Sequence, residues 1–310
     1  WSDTGFPVRE ASGQLGLVVT RSEQWFAGTS IGLYRSGPNV PWQRVESGLT
    51  LGAETGTPEV APSGELRVRI EGQSPAVFVS MDGGATWTQP IPNAPVGALA
   101  HDLLVSPALA TDRTAFVSVS GQDLLRTTGG GPWQEIGPPV DWTSAALQIS
   151  PAFDQDGLVF VRLDDHWLWR SLDGGETWSN RTGPWGEQAP ITVAPGPVPR
   201  LEPVTFSATY AQDGVILTQA GSGLYRSTDQ GATWTAVHQG DPWHMQTLFA
   251  RDEVYMWQGR KIVHSNDAGS TWQTLPQAPW NESEMGNLLF SPDFEQDRTL
   301  LAWTTSGQVY

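Results

Sequence analysis

The hydrophobic positions of this chain come in short bursts rather than in long periodic stretches. AFVSV (115–119), LVFVRL (158–163) and VILTQ (215–219) are runs of five or six residues, rich in β-branched and aromatic side chains. Runs of that length and content, bounded by turn formers, predict strands. Each follows a variant of one turn, SPALATDRT, SPAFDQDG or SATYAQDG, and a fourth copy, SPDFEQDRT, stands at 291–299. In all four the aspartate (Asp112, Asp156, Asp213, Asp297) lies six residues after the serine.

A second corner recurs after these runs. It reads SMDGGATW at Ser80, SLDGGETW at Ser171, STDQGATW at Ser227 and SNDAGSTW at Ser265. Ser, Asp, Gly, Thr and Trp keep offsets 0, +2, +4, +6 and +7. Shorter forms begin at Ser2 (SDTGFPV), Ser36 (SGPNVPW) and Thr127 (TTGGGPW), which makes seven corners. The predicted unit is strand, acidic turn, strand, strand, Asp corner, strand. The aspartate accepts from backbone N–H groups of its own turn, the glycine allows a positive φ, and the tryptophan buries a large ring. Asp82, Trp87, Asp173, Trp178, Asp229, Trp234, Asp267 and Trp272 are therefore expected to be structural staples.

Fixed-period repeats of this size point to a solenoid or a propeller. The chain ends SGQVY and begins WS, so joining Tyr310 to Trp1 gives QVY-WS, in register with the LYRS of other corners. The interval from 265 through the ends to 2 is then 47 residues, the same as from 80 to 127. A ring of radial sheets leaves few exposed edges. The expectation is an all-β, seven-bladed β-propeller of four-stranded blades, one domain over 1–310. Its last blade would combine about 283–310 with 1–10.

The S-x-D-x-G-x-T-W corner resembles the Asp box, or BNR repeat, of sialidases and related propellers. With the SPxFxxDxT turn, the pattern is similar to bacterial propellers described as sialidase-like, xyloglucanase-like or photosystem II assembly-factor-like. The resemblance implies a propeller; activity resides in loops and not in the fold.

Composition narrows the functions. Net charge is −16, the wrong sign for a sequence-independent nucleic-acid binder. Cysteine is absent, which removes disulfides and thiolate metal sites. No stretch reaches the ~18 consecutive apolar residues of a membrane span, so direct membrane insertion is not expected. The five histidines (His101, His166, His238, His244, His264) lack metal-ligand spacing, and no metal or cofactor is expected.

A sialidase-like site requires an arginine cluster, a Tyr–Glu pair and an acid Asp. Tyr34, Tyr210, Tyr225 and Tyr310 occupy repeat slots, leaving Tyr255 as the spare tyrosine. Arg35, Arg126, Arg170, Arg226, Arg113 and Arg298 are repeat parts as well. Glycosidases of other kinds need two carboxyls flanking the scissile bond; loop acids such as Asp102 and Glu284 form no recognisable motif.

Binding has better candidates. Four successive connections between repeats carry tryptophan: Trp142 in PVDW, Trp185 in GPWGE, Trp243 in GDPWH and Trp280 in APWNE. Asp141, Glu187, Asp241, His244 and Glu282 stand beside them as polar contacts. Flat aromatic faces suit sugar rings or a partner's apolar anchors, and inter-blade packing is the competing structural role. The Pro-rich segment 181–203 is expected to form a lid or docking loop. The expected protein is a monomer outside the cytoplasm, binding a glycan or a protein partner without catalysis. A glycoside hydrolase and an assembly factor for a membrane protein complex are the alternatives.

Overall fold

The computed structural model describes the chain except residues 1–15, 21–22, 39, 46–47, 50–53, 62–63, 71–73, 96–97, 120–122, 140–144, 164–166, 182–203, 221–222, 240–245, 251–252, 259–260, 276–284, 291–293 and 305–310. The described strands form seven antiparallel sheets, first to seventh along the chain, each strand pairing with its neighbour in sequence. Five are four-stranded. The first comprises Gly16–Val19, Trp25–Thr29, Gly32–Gly37 and Val40–Arg44, and the third Ala98–Val105, Ala115–Val119, Asp123–Thr127 and Gln134–Glu135. The fourth holds Ala145–Ile149, Val159–Leu163, Trp167–Ser171 and Ser179–Asn180; the fifth Thr205–Phe206, Ile216–Ala220, Gly223–Ser227 and Thr235–Gln239. The sixth is Gln246–Ala250, Glu253–Gln258, Lys261–Ser265 and Gln273–Thr274.

The predicted unit order, acidic turn included, is seen in the third, fourth and fifth sheets, and the turn recurs in the seventh. Every described corner joins the third strand of a sheet to the chain that returns as the fourth. Among the described residues the strand count is not uniform. The second sheet has three strands, Glu59–Val60, Leu66–Ile70 and Ala76–Ser80, with a single Val79–Thr88 bridge beyond its corner. The seventh has Met285–Phe290 and Leu300–Thr304. The segments expected to complete it, 305–310 and 1–10, lie outside the described residues.

The pattern of burial explains why the strands did not alternate in sequence. Ala76–Ser80 and Val159–Leu163 are buried at every position, because both of their faces are covered. The fourth strands Val40–Arg44 and Thr235–Gln239 are largely exposed and polar. Pro41 sits in one of them, where a missing N–H is tolerated at a sheet edge.

The chain divides into two compact units, residues 1–143 with 153–155, and 144–152 with 156–310. In the first, Phe26, Leu33, Leu66, Val68, Phe78 and Trp87 pack between the first and second sheets. Val77, Val79, Leu103, Leu109 and Val117 pack between the second and third. In the second unit, Leu158, Phe160, Val204, Ile216 and Trp234 fill the joint of the fourth and fifth sheets. Leu217, Leu224, Val254, Met256 and Val263 fill that of the fifth and sixth. Adjacent residues such as Ile216 and Leu217 thus serve different joints. Each such side chain contributes about 1.5–3 kcal/mol of burial.

Candidate functional site

The four full corners share one hydrogen-bond pattern. In the fourth sheet, Ser171 Oγ donates to Asp173 Oδ1 (2.7 Å) and accepts from Gly175 N (2.7 Å). Thr177 N donates to Asp173 Oδ1 (2.9 Å) and Thr177 Oγ1 to Oδ2 (2.6 Å). Asp82, Asp229 and Asp267 have the same partners. The Thr86 hydroxyl and N–H and the Ser80 hydroxyl pull the Asp82 carboxyl down to about 2. Partial burial pushes Asp173 and Asp267 up, but the threonine, serine and backbone donors outweigh it and bring both to about 2. Both oxygens of each carboxylate are engaged inside their own loop, and the staple reading is what the geometry supports. The short corners work differently: Ser36 Oγ donates to Val40 O (2.6 Å) and Thr127 Oγ1 to Gly131 O (2.6 Å).

The acidic turns are single helical turns, Leu109–Asp112, Phe153–Asp156, Tyr210–Asp213 and Phe294–Asp297. The first three are closed by hydroxyls. Ser106 Oγ donates to Asp112, Ser150 Oγ to Asp156 and Ser207 Oγ to Asp213, at 2.5–2.7 Å. Each of the four carboxylates also caps the N–H two residues on. The residue after the aspartate is left-handed: Arg113, Gly157, Gly214 and Arg298. Among the described residues, no group of His, Asp and Glu has the arrangement to hold a metal ion.

Corners and turns are tied to the next sheet through one recurrent slot. In six sheets the corner Ser or Thr pairs with a residue of the second strand, and the residue after that one fills the slot. It is Phe26, Arg67, Phe116, Phe160, Leu217 and Tyr255 in turn. For Phe26, Phe160 and Leu217 the next corner's glycine lies against this side chain. A Cβ on Gly231 would stand 2.6 Å from Phe160, and one on Gly84 2.5 Å from Phe26. The corner glycine is thus required by close approach as well as by its positive φ. The cross-strand partner of the slot adds a second tie: Arg170 donates to Gln230 O (2.8 Å) and Arg226 to Ala268 O (2.9 Å).

Two slots are polar. In the second sheet, buried Arg67 pairs with Glu65 at 2.5 Å and donates to Pro107 O at 2.7 Å. In the sixth, Tyr255 donates to Glu253 Oε2 (3.0 Å) and stacks on His264 with centroids 4.4 Å apart. His264 Nε2 lies 3.5 Å from Glu253, in ion-pair range but without hydrogen-bond alignment. Arg298, just past the helical turn of the seventh sheet, pairs with Glu253. Phe294 meets the Tyr255 ring edge-on at 5.7 Å. Burial pushes Glu253 up, but bonds from Arg298 and Tyr255 bring it below its ordinary value. Burial, then the Glu253 bond, pushes Tyr255 up to about 12. Its ring is held between His264 and Phe294, which places the spare tyrosine at the joint of the sixth and seventh sheets. The signal in sequence was slight: Tyr in a slot filled elsewhere by Phe or Leu, and His where four sheets have Arg.

The predicted binding residues Trp142, Trp185, Trp243, Trp280, Asp141, Glu187, Asp241, His244 and Glu282 all lie outside the described residues, as does 182–203. Their chain positions are nonetheless bracketed: they fall after the fourth strands ending at Glu135, Asn180, Gln239 and Thr274, and before the next first strands. In an antiparallel four-stranded sheet the chain leaves the fourth strand at the end opposite the corner.

Residues 225–236, around the third full corner, match the BNR/Asp-box repeat family. Over 254 residues the chain is 25% identical to the oligoxyloglucan-reducing end-specific xyloglucanase of Emericella nidulans, covering 76% of this chain and 28% of that protein. Over 202 residues it is 31% identical to a xyloglucanase of a Paenibacillus species, covering 56% of this chain and 19% of that one. The chain therefore spans less than a third of the length of either relative. Among solved structures, YCF48 bound to a D1 peptide superposes with a TM-score of 0.55 at 16% identity, over 97% of this chain and 93% of that one. At that identity the likeness is one of fold alone.

Proposed function

We propose that this chain, a β-propeller of the BNR/Asp-box repeat type, is a non-catalytic binding module for an extended glycan. The recognition surface is formed by Trp142, Trp185, Trp243 and Trp280, with Asp141, Glu187, Asp241, His244 and Glu282 as polar partners. The observation that carries the reading is positional. The four tryptophans occupy four successive connections that leave fourth strands away from the Asp corners. Two further facts support it. The corner carboxylates are consumed by their own loops, and the relatives over part of this sequence are xyloglucanases. The ring has seven blades in one domain, the seventh completed by residues 1–10, and the protein acts as a monomer outside the cytoplasm.

Isothermal titration with xyloglucan and other β-glucan oligosaccharides tests this. Binding is expected, with each Trp→Ala change at 185 or 243 weakening it roughly two- to tenfold, the equivalent of ~0.5–1.5 kcal/mol per ring. Release of new reducing ends by the wild type would overturn the non-catalytic reading in favour of a glycoside hydrolase using loop carboxylates. A second reading, capture of a peptide segment of a membrane-complex subunit, is favoured by the likeness to a propeller solved with a bound peptide. It takes over if no glycan binds and a peptide array does.

A further inference from the structure

The other described joints carry no ion pair across the gap. Phe26, Phe160 and Leu217 lie against the next corner's glycine, and the Tyr210 phenol of the fifth sheet donates to Asp156 of the fourth (3.2 Å). Arg170 and Arg226 bind backbone carbonyls. The second sheet has a carboxylate, Glu65, but it pairs with Arg67 on its own strand. The bond that crosses that joint runs from Arg67 to Pro107 O and survives protonation of Glu65.

At the joint of the sixth and seventh sheets an ion pair spans the gap, since Glu253 belongs to the sixth sheet and Arg298 follows the helical turn of the seventh. The groups facing Glu253 are Tyr255 on its own strand, His264 on the third strand and Arg298 across the joint. The Glu253 and His264 side chains are 20% and 21% exposed and Arg298 60%, so protons reach the cluster from solvent.

We propose that Glu253 and Arg298 form an acid-released latch holding the seventh sheet to the sixth. Above its titration Glu253 is an anion facing one permanent cation and one histidine. Once Glu253 takes a proton, the charge that holds Arg298 across the joint is gone. The sign follows from the direction of the Glu253 shift, which is downward. Its contribution is complete above the unfolded carboxylate value and is lost as pH falls through the lower folded value. The corner aspartates Asp82, Asp173 and Asp267 keep their charge to about pH 2. These corner staples therefore stay closed at pH 3.5, and the seventh sheet is expected to open first.

Hydrogen exchange of the full chain, corrected for intrinsic rates, tests the latch at pH 6 and pH 3.5. The amides of 285–290 and 300–304 are expected to lose several-fold in protection in acid. Those of 216–220 should hold. Glu253→Gln, which mimics the protonated state, should show the lowered protection already at pH 6 and little further change at pH 3.5. If that variant fails to fold, Arg298→Met, at a mostly exposed side chain, should give the same pattern. Protection of 285–304 that does not respond to acid, or that falls in step with 216–220, would overturn the proposal. So would a Glu253→Gln or Arg298→Met chain that keeps the wild-type pH response.

Discussion

Replacing Gly231 with alanine tests the claim that the joints depend on close approach between a corner and the preceding sheet. Gly231 has φ +76, and an added Cβ would stand 2.6 Å from Phe160 Cζ, 2.8 Å from its Cε1 and 3.1 Å from Trp234 Cζ2. The left-handed backbone alone costs an L-residue about 1–2 kcal/mol. Neither ring has room to move: Phe160 is fully buried and Trp234 is 9% exposed, both in one core cluster. Overpacking there costs about a further 1–3 kcal/mol. The sum is about 2–5 kcal/mol, or roughly 4–10 °C in Tm at about 2 °C per kcal/mol for a chain of this size. Gly64 supplies the control, with φ +90 and nothing within 4 Å of an added Cβ. Gly64→Ala should cost only the backbone part. The assay is paired thermal melts, with the double variant Gly231→Ala/Phe160→Leu as a coupling test. Relief of part of the Gly231→Ala loss by the smaller side chain is expected. Equal losses at Gly64 and Gly231, with no relief in the double variant, would refute the close-approach argument and leave only the φ requirement.

Two other perturbations probe the staples and the seam. Asp173→Ala removes the acceptor of Ser171 and of the Thr177 hydroxyl and N–H and should cost about 1–3 kcal/mol; its melting temperature should also vary less between pH 5 and pH 2. The sign is that of a depressed carboxylate, whose stabilisation is present above the unfolded value and lost as pH falls through about 2. Deletion of residues 1–10 should lower Tm by many degrees if they complete the seventh sheet, since four or five backbone bonds at about 0.5–1.5 kcal/mol each are lost; a truncated chain that melts like the parent would contradict that closure.

Much of the framework was legible in the residues themselves. The repeat order, the corner between third and fourth strands and the acidic turn after the first are local patterns. Each is made by hydrogen bonds spanning two to six residues, such as Ser171–Asp173–Thr177 and Ser150–Asp156. Interactions that close within one loop leave their signature at fixed spacing, so sequence alone determined them. The joints were different. That Gly231 is pressed on Phe160, that Arg170 reaches Gln230 and that Glu253 takes Arg298 became visible only once neighbouring sheets were packed together. These partners are 45 to 71 residues apart, and nothing in the one segment encodes the identity of the other. The acidic turns show the boundary between the two. Asp112 is taken within its own turn by Ser106 and the Thr114 N–H, while Arg298, in the position matching Arg113, reaches across a joint to Glu253. Local spacing settles which groups can meet within a turn; only the packed sheets decide which groups meet across a joint.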